Sequence, residues 1–434
     1  MTSTASEKSP PKSLRFWYQA IVALLVVLGF FSEAVTFWFD AGVSPPPSLL
    51  VMVLAVAILP LLLPWQKRSQ QLPWDVFLWC GIYLIISQVS YYLLPAAEIT
   101  TQELRYRFLA ILFIVTSAVL FSGDRRVQTI ARWGIVLVIF LNVFNNFTEI
   151  SNPLAFGEMN ASGRPAGYYT DPNKAGCSLI LAIILGVTAL PIQLRIYFIA
   201  IAAVGIFLTF SRGALLSLPI IMAILSVGKI LPRKHFWTAL LSLVFLFISL
   251  NVMAPEIIKQ VRYAGLDQNI EKRLETFTNP NSRDANDDTS RLDVVFFALD
   301  HFFERPLLGH GIGYTKMWGE IPPHNMYLMM AVEHGLLGVL IYPAFLLLAT
   351  RNAQGETRYL AICTLTFLLI WGFFSHKILE ERYILLSCTL LADMRVLEQR
   401  NLEQQQLEQQ QKIQVFKTQA FTITPLKRSR RHSP

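Results

Sequence analysis

The sequence predicts an all-α, polytopic membrane protein, and three observations lead to that prediction. Apolar residues make up 53% of the 434 residues, whereas charged residues make up only 15%. The apolar residues are gathered into repeated runs of about 17 to 25 residues, the length that a helix needs to cross a bilayer. Short polar segments separate the runs, and only one, at about 255–323, is long. We expect one membrane domain over residues 1–395 and a low-complexity basic tail over residues 396–434.

The apolar runs predict about twelve transmembrane helices. They are expected at residues 17–39, 47–64, 74–94, 107–122, 131–149, 174–190, 196–210, 212–229, 236–254, 325–349, 359–375 and 383–395. Short segments on the side of the predicted bundle that holds the N-terminus carry about twice as many Lys and Arg residues as the short segments on the opposite side. Arg107, Lys377 and Arg382 are counted on that opposite side. Because loop Lys and Arg resist translocation, we place both termini in the cytoplasm and the large loop outside.

The large loop contains two segments of helical character. The first, EIIKQVRYAGLDQNIEKRLETF, is followed by the loop-like stretch TNPNSRDANDDTS. The second, SRLDVVFFALDHFFERP, repeats apolar residues at helical spacing, which indicates an amphipathic helix near the outer membrane surface. Ser290 and Asp293 resemble a capping box and Pro306 ends the helix, so Arg291 is expected in its first turn.

The C-terminal tail is polar and then basic. It contains LEQQQLEQQQ, whose leucines recur every five residues and therefore fit no coiled-coil heptad, and then LKRSRRH. The basic end suits an anionic inner-leaflet surface, but a disordered, solvated tail is the favoured interpretation. The formal net charge of +8 therefore needs no nucleic acid to explain it.

The segment TFSRGALLSL interrupts an apolar stretch that is long enough for two spans. We expect a tight outer turn there, with Arg212 at the N-terminus of the following helix. A helix N-terminus offers free backbone N–H groups and the positive end of the macrodipole, and an arginine beside it adds further donors. The segment predicts an anion-binding site; the alternative is an arginine that anchors a helix end at the membrane surface.

The segment YYTDPNKAG shows a second outward-pointing helix N-terminus. Asp171 can cap this helix, Pro172 suits its first position, and Lys174 follows in the first turn. Lys174 is therefore a second candidate for contact with an anion, and a simple helix cap is an equally good interpretation.

The segment PPHNMYLMMAVEHG places His324 at the start of a membrane helix, again at the outer side. An unperturbed imidazole titrates near pH 6.5, which suits it to accept a proton at neutral pH. His324 is the candidate general base, and an interfacial histidine or helix cap is the alternative. Glu333 is out of phase with His324 on the helix, and the roles of Glu333 and His334 stay open.

The histidines and cysteines predict no metal site. His324 and His334 lie about 15 Å apart along one helix by the helical rise, so they cannot share an ion. His301 and His310 flank a proline turn without ligand spacing, and the chain has neither an H-E-x-x-H motif nor a cysteine pair. The segment GHGIGY does not follow a strand, so we interpret it as a glycine-rich turn rather than a nucleotide-binding loop.

Three blocks of the sequence together resemble a known family. They are LTFSRGALLSL, SRLDVVFFALDHFFERPLLGHGIGY and PHNMYLMMAVEHGLLGVLIY, with the long loop before the last. In this order and spacing, over roughly residues 155–375, the chain resembles the O-antigen ligase and polymerase superfamily of bacterial membrane glycosyltransferases. The resemblance implies a multi-pass protein of the bacterial inner (plasma) membrane, whose large loop is periplasmic.

The resemblance also implies a reaction in cell-surface polysaccharide biosynthesis. In that family a glycan carried by undecaprenyl pyrophosphate is transferred to an acceptor hydroxyl on the periplasmic face, by an inverting reaction that uses no metal or other cofactor. The catalytic histidine of the family corresponds to His324, and its two arginines correspond to Arg212 and Arg291. Lys174 is a further candidate for binding the pyrophosphate. The expected partners are the lipid-linked oligosaccharide donor, a lipid or glycan acceptor and membrane lipids, with no nucleic acid.

Alternatives remain open at the level of sequence. A ligase uses lipid A-core of lipopolysaccharide as acceptor and a polymerase uses another lipid-linked repeat, yet both share these blocks, as do relatives that glycosylate proteins. A small-anion transporter is disfavoured because the sequence has no inverted repeat and its basic groups gather at the outer side rather than at the midplane. The sequence specifies neither the sugar, the linkage, the acceptor nor the oligomeric state.

Overall fold

The structure, a computed structural model, describes residues 13–63, 65–93, 98–152, 154–156, 164–234, 236–238, 241, 285–318 and 323–422. Within these ranges every regular element is helical and there is no β-strand, which confirms the all-α prediction. The physical reason is that the apolar layer of a membrane offers no water to unpaired backbone groups, and a helix satisfies these groups internally.

Fourteen α-helices have bounds within the described part of the chain. They are α1 (Leu14–Val26), α2 (Ala34–Asp40), α3 (Pro47–Ala57), α4 (Trp65–Ser69), α5 (Trp74–Leu93), α6 (Glu98–Phe121), α7 (Arg125–Ser151), α8 (Pro172–Gly186), α9 (Ile192–Leu208), α10 (Arg212–Val227), α11 (Ala285–Glu304), α12 (Met326–Thr350), α13 (Gly355–Trp371) and α14 (Arg382–Thr422).

Five helical segments are long and apolar enough to cross a membrane. They are Leu14–Phe31, Glu98–Phe121, Arg125–Ser151, Pro172–Ala189 and Met326–Thr350. Shorter apolar helices occupy Pro47–Leu62, Ile192–Leu208 and Arg212–Val227. These helices agree with a membrane protein, whereas the total of twelve spans and the side on which the large loop lies stay predictions. The predicted span at 236–254 falls almost entirely outside the described residues.

Helix α8 forms the centre of the bundle. Its residues from Ala175 to Gly186 are all buried, and it packs against α7, α9, α10, α13 and α14. Near its start, Gly176 lies so close to α10 that an added Cβ would be 2.9 Å from the Cβ atoms of Ser211 and Ala214. Small residues allow helix backbones to approach in this way. The first turns of α8 and α10 are therefore held side by side.

The predicted first span at 17–39 is not one continuous helix. Helix α1 passes into a π-helical turn at Val27–Phe31, and Glu33 then adopts the left-handed conformation with φ 58° before α2 begins. The Ser32 hydroxyl donates to the Leu28 carbonyl and accepts a hydrogen bond from Ala34 N at 3.2 Å. These local bonds compete with the helical ladder, which is why the apolar pattern alone gave too long a span.

Helix α12 is broken by Gly335, whose backbone has φ 65° and ψ −152°. The segment GHGIGY lies across this break: His310 N donates to the Val332 carbonyl at 2.8 Å and Gly311 N to the Glu333 carbonyl at 3.0 Å. Leu336 N donates in turn to the Pro306 carbonyl at 2.7 Å. The glycine-rich turn thus supplies the hydrogen bonds that the broken helix does not make for itself.

Replacing Gly335 by alanine is expected to destabilise the protein. Only glycine adopts this backbone conformation readily, and any other residue is strained in it by about 1–3 kcal/mol. An added Cβ would also lie 2.4 Å from the Leu307 carbonyl oxygen. Gly81 in α5 is the matched control because nothing lies within 4 Å of an added Cβ there. Thermal unfolding in detergent should show a lower midpoint for Gly335→Ala and an equal or higher midpoint for Gly81→Ala.

Helix α11 begins earlier than predicted. It starts at Ala285, so Arg291 lies inside the helix rather than in its first turn, and Ser290 is not its N-cap. The acidic residues at 287 and 288 provide a reason, since negative charge near a helix N-terminus is favourable. The helix ends at Glu304, shortly before Pro306, as predicted. The segment EIIKQVRYAGLDQNIEKRLETF lies outside the described residues.

The disordered tail predicted after residue 395 is wrong as far as Thr422. Helix α14 continues without a break from the buried part of the bundle through LEQQQLEQQQ. Glutamine, glutamate and leucine are all good helix formers, and no glycine or proline interrupts the segment. The helix that has already formed in the bundle removes the cost of nucleation, so these residues extend it. The basic segment LKRSRRH lies outside the described residues.

Candidate active site

The first turns of α8 and α10 contact each other at one end of the bundle, and α12 begins beside the end of α13. Ser211, which precedes α10, donates its hydroxyl to the side-chain oxygen of Asn173 in the first turn of α8 at 3.2 Å. Met326, the first residue of α12, donates its backbone N–H to the Gly372 carbonyl at 2.8 Å, just after α13 ends. The first turns of α8 and α10 therefore lie side by side, and a helix N-terminus generally leaves backbone N–H groups for a ligand. The N–H groups of Met326, Tyr327 and Leu328 at the start of α12 are already bonded within the protein.

A cavity of about 200 Å³ opens at this end of the bundle. Its lining combines residues near the starts of α2, α8 and α14 with two residues from the middle of α6 and the loop between α13 and α14. They are Glu33, Thr36, Tyr106, Ala110, Lys174, Lys377, Glu380, Glu381 and Arg382. The cavity is thus rich in charged side chains of both signs, beside helix N-termini that favour anions.

Ion pairs neutralise part of this charge. Lys174 Nζ lies 2.9 Å from Glu381 Oε1, and Lys316 Nζ lies 3.4 Å from Glu380 Oε1. Lys377 and Arg382 make no ion pair with any residue that the structure describes. Lys377 is exposed, and Arg382 is partly buried. The positive charge most accessible to a ligand in this cavity therefore comes from Lys377 and Arg382 rather than from Lys174.

Glu33 is the carboxyl group that the fold perturbs most clearly at this cavity. Burial of its side chain, and next the repulsion by Glu381, raise the pKa of Glu33 to about 7. Lys174 and Arg382 act in the opposite direction. Near neutral pH the Glu33 carboxyl can therefore take up a proton, and in that form it donates a hydrogen bond and no longer repels an anion.

His324 stands immediately before the N-cap of α12. The cap is Asn325, whose side-chain oxygen accepts from Tyr327 N at 2.9 Å and from Leu328 N at 3.1 Å. The His324 side chain is exposed, and its ring meets the ring of His376 edge to face at 5.4 Å between centroids. The helix cap is thus Asn325, and the imidazole of His324 lies at the surface of the site.

His376 is buried beside His324 in the loop between α13 and α14. Burial lowers the pKa of His376 to about 3, and the charges of Lys377, His324, Lys316 and Lys174 act in the same direction. The His376 imidazole is therefore neutral at physiological pH. The charges of both His324 and Lys174 act on His376. His376 is therefore near both the start of α12 and the part of the cavity that Lys174 lines.

Acid is expected to destabilise the protein through His376. Below about pH 6.5 the unfolded chain binds a proton at this imidazole that the folded chain does not, so the free energy of unfolding falls as the pH falls toward 3. The slope is at most about 1.4 kcal/mol per pH unit. Thermal unfolding of the wild type and His376→Gln, measured in detergent between about pH 7 and pH 4, should give a shallower dependence for the variant. Equal slopes would contradict the assignment.

The structure places the sequence-predicted residues in different relations to this cavity. Lys174 lines it, whereas His324 contacts His376, the residue that precedes the cavity-lining Lys377 in the sequence. Arg212 is the first residue of α10 and is partly buried, next to the Ser211–Asn173 contact. Arg291 lies in α11, and its side chain falls outside the described part of the structure.

Sequence reasoning missed several side chains at this end of the bundle. They are Glu33, His376, Lys377, Glu381 and Arg382. A signal was present, because the segment SHKILEER places a histidine and several charged residues between two predicted spans. At the level of sequence, Lys377 and Arg382 contribute only to the count of Lys and Arg residues that predicts which side of the membrane each segment faces.

The segment VEHG, whose role stayed open, belongs to a buried polar cluster behind the cavity. Arg107 of α6, which was counted in an outer segment, is instead buried within its helix and donates to both Glu333 and His334. Glu333 also accepts from Gly313 N at 3.1 Å and from the Thr315 hydroxyl at 3.0 Å. The cluster therefore ties α6 and the glycine-rich turn to the break in α12.

Residues 197–342 of the chain match the family model described as O-antigen ligase. This match covers about a third of the chain, and it supports the resemblance of that part to the O-antigen ligase and polymerase superfamily. The O-antigen ligase match runs from α9 to α12 and includes Arg212, Arg291 and His324, whereas Lys174, Lys377 and Arg382 lie outside it. A search of curated proteins finds no match.

Proposed function

We propose that the chain is a membrane glycosyltransferase that moves a glycan from an undecaprenyl-pyrophosphate donor to an acceptor hydroxyl on the periplasmic face of the inner membrane. The observation that supports this proposal most directly is the contact between the first turns of α8 and α10, near a cavity with basic side chains and an exposed imidazole. The O-antigen ligase match over residues 197–342 supports the same reaction class.

The basic groups are proposed to bind the pyrophosphate and to stabilise its departure. Cleavage of the bond between the sugar and the pyrophosphate builds negative charge on the leaving oxygen, and fixed cations and N–H groups lower the energy of that state. Arg212 lies at the start of α10, and Lys377 and Arg382 lie at the cavity. Arg291 is proposed to join them from α11. Lys174 is proposed to hold Glu381 and to add to the positive field at the cavity.

His324 is proposed to act as the general base. The acceptor hydroxyl must lose a proton as its oxygen attacks the anomeric carbon of the donor, and a positioned neutral imidazole can take that proton. The attack forms the new glycosidic bond while the bond to the pyrophosphate breaks on the opposite side, so the configuration at the anomeric carbon inverts. In this proposal His324 and the cations supply proton transfer and charge stabilisation, with no reaction step assigned to a metal.

A polymerase that joins two lipid-linked repeats is the second candidate. It needs the same base and the same anion site, and its acceptor also attacks the anomeric carbon opposite the pyrophosphate, so the two candidates differ only in which molecule is the acceptor. The structural features that support the ligase proposal therefore support the polymerase equally, and the acceptor has to be found by experiment.

The proposal is tested by transfer in lipid vesicles that contain the purified full chain. An undecaprenyl-pyrophosphate oligosaccharide is supplied with either lipid A-core or a second lipid-linked glycan, and products are separated by size. Arg212→Ala is expected to lower the turnover by about 10²-fold, as for the loss of one group that stabilises developing charge. Arg358→Ala is the control because Arg358 is exposed in the first turn of α13, far from the cavity along that helix.

Each outcome distinguishes the hypotheses. Product with lipid A-core supports a ligase, and product with the second glycan supports a polymerase. If the wild type transfers to neither acceptor, and the vesicles instead become permeable to small anions, the glycosyltransferase proposal is wrong and transport replaces it. If Arg212→Ala and Arg358→Ala both keep the wild-type rate, the enzyme class stands but the role of Arg212 does not.

A further inference from the structure

A cluster of metal-ligating side chains lies where α11 ends and the glycine-rich turn begins, and none of its three residues lines the cavity of the candidate active site. His301 Nδ1 lies 3.2 Å from Glu304 Oε2, and His310 Nε2 lies 3.7 Å from the same oxygen. One donor atom from each of the three residues lies within 4.8 Å of the other two. The sequence spacing suggested that His301 and His310 could not bind one metal ion together. The turn at Pro306, however, folds His310 back over the end of α11.

The spacing of these atoms matches what a small divalent ion needs. Nitrogen and oxygen ligands sit about 2.0–2.2 Å from Zn²⁺, so neighbouring ligand atoms of a tetrahedral site are about 3.3 Å apart. Two of the observed separations, 3.2 and 3.7 Å, lie near this value. The His310 Nε2 proton now points to the His301 carbonyl at 2.7 Å, and an ion would take the place of that proton.

Aromatic contacts hold both imidazoles in place. The His301 ring stacks on Trp318 at 5.2 Å and meets Phe297 edge to face at 4.5 Å, and the His310 ring stacks on Tyr314 at 4.3 Å. The side chain of His310 is only 7% exposed, whereas Glu304 is 58% exposed. The ligand set is thus rigid on the protein side and open to water on the side of Glu304, as for an ion with three protein ligands and one water.

We infer that His301, Glu304 and His310 form a binding site for a divalent transition-metal ion of the Zn²⁺ class. Two imidazole nitrogens and one carboxylate suit such an ion and disfavour Mg²⁺ and Ca²⁺, which prefer oxygen ligands. The ion joins the last turn of α11 to the glycine-rich turn that crosses the break in α12. It therefore acts as a structural clasp between α11, which carries Arg291, and α12, which begins after His324, and not as a participant in glycosyl transfer.

The inference is tested by Zn²⁺ binding to the purified full chain, prepared without a polyhistidine tag and stripped with a chelator. Competition with a chromophoric chelator gives the stoichiometry and the Kd, and Co²⁺ absorption reports the ligand geometry. The variants are His301→Phe and His310→Phe, which keep the aromatic packing, and Glu304→Gln. Asp300→Asn is the control because Asp300 is an exposed acid on the same helix that belongs to no ligand set.

The wild type and Asp300→Asn should each bind one Zn²⁺ per chain, with an affinity that falls as the pH is lowered because protons compete for the imidazoles. Each ligand variant should raise the Kd by at least about tenfold. This is the lower end of the loss of affinity found when residues that support metal ligands are replaced. Zn²⁺ should also raise the unfolding temperature of the wild type but not that of His301→Phe. No bound Zn²⁺ at micromolar concentration, or a Kd that the three ligand variants leave unchanged, would overturn the inference.

Discussion

Replacing His324 by alanine is expected to lower the rate of glycan transfer by about 10²–10⁴-fold, the usual contribution of a general base. The donor should still bind with nearly the wild-type affinity, because the cationic groups proposed to hold the pyrophosphate remain in place. The loss should therefore appear in kcat rather than in KM when initial rates are measured over a range of donor concentrations. The cap of α12 is Asn325, so removal of the imidazole should leave that helix end intact.

Two comparisons separate a base from a structural residue at this position. Imidazole added to the buffer should restore part of the activity of His324→Ala, and the acid limb of the wild-type pH–rate profile should be absent from the variant. His376→Gln is the matched variant, since it removes the neighbouring imidazole 5.4 Å away, which is buried and neutral. If His376→Gln lost the acid limb and His324→Ala kept it, the two histidines would have to exchange roles.

Replacing Arg107 by methionine is expected to cost about 3–5 kcal/mol of folding free energy, because it leaves the Glu333 carboxylate buried without its cation. Glu333 is 1% exposed, and of its hydrogen bonds only those from Gly313 N and Thr315 would remain. The cluster also fixes the glycine-rich turn to the break in α12, so the loss should include local disorder of that turn. Thermal unfolding in detergent measures the change.

The charge, rather than the volume of the side chain, is the proposed cause of this loss. Adding Glu333→Gln to Arg107→Met removes both charges, and the amide oxygen introduced at position 333 can still accept from Thr315, so the double variant should recover part of the stability. Arg126→Met is the control for an exposed pair, because Arg126 and Asp124 are both accessible to water and should matter little. An unfolding temperature for Arg107→Met equal to that of the wild type would rule out the cluster as a stabilising feature.

The positions of most helices could be predicted from the sequence, because apolar run length determines them locally. The run predicted at 74–94 became Trp74–Leu93, and the run predicted at 325–349 became Met326–Thr350. Errors arose where polar residues compete with the helix, as at Ser32 and Glu33, or where a polar segment extends a helix already formed, as in α14. Run length carries no information about either effect.

The candidate site was predictable only in part, for a different reason. His324, Arg212 and Lys174 can be recognised in the sequence because each stands at the start of an apolar helix. The partners of buried polar residues are distant in sequence: Arg107 and His334 are separated by 227 positions, and no local pattern predicts such a contact. The same holds for Glu381, which pairs with Lys174, and for the meeting of His301 with His310 across a turn.

Helix α14 has a consequence for the shape of the molecule. Its 41 residues make a rod of about 60 Å, roughly twice the thickness of the hydrocarbon layer. The first part is buried in the bundle, whereas residues 403–415 are exposed. A reporter dye attached at Val415 would accordingly stand about 20 Å beyond the point where α14 leaves the bundle, a height that energy transfer to a lipid-bound dye can measure.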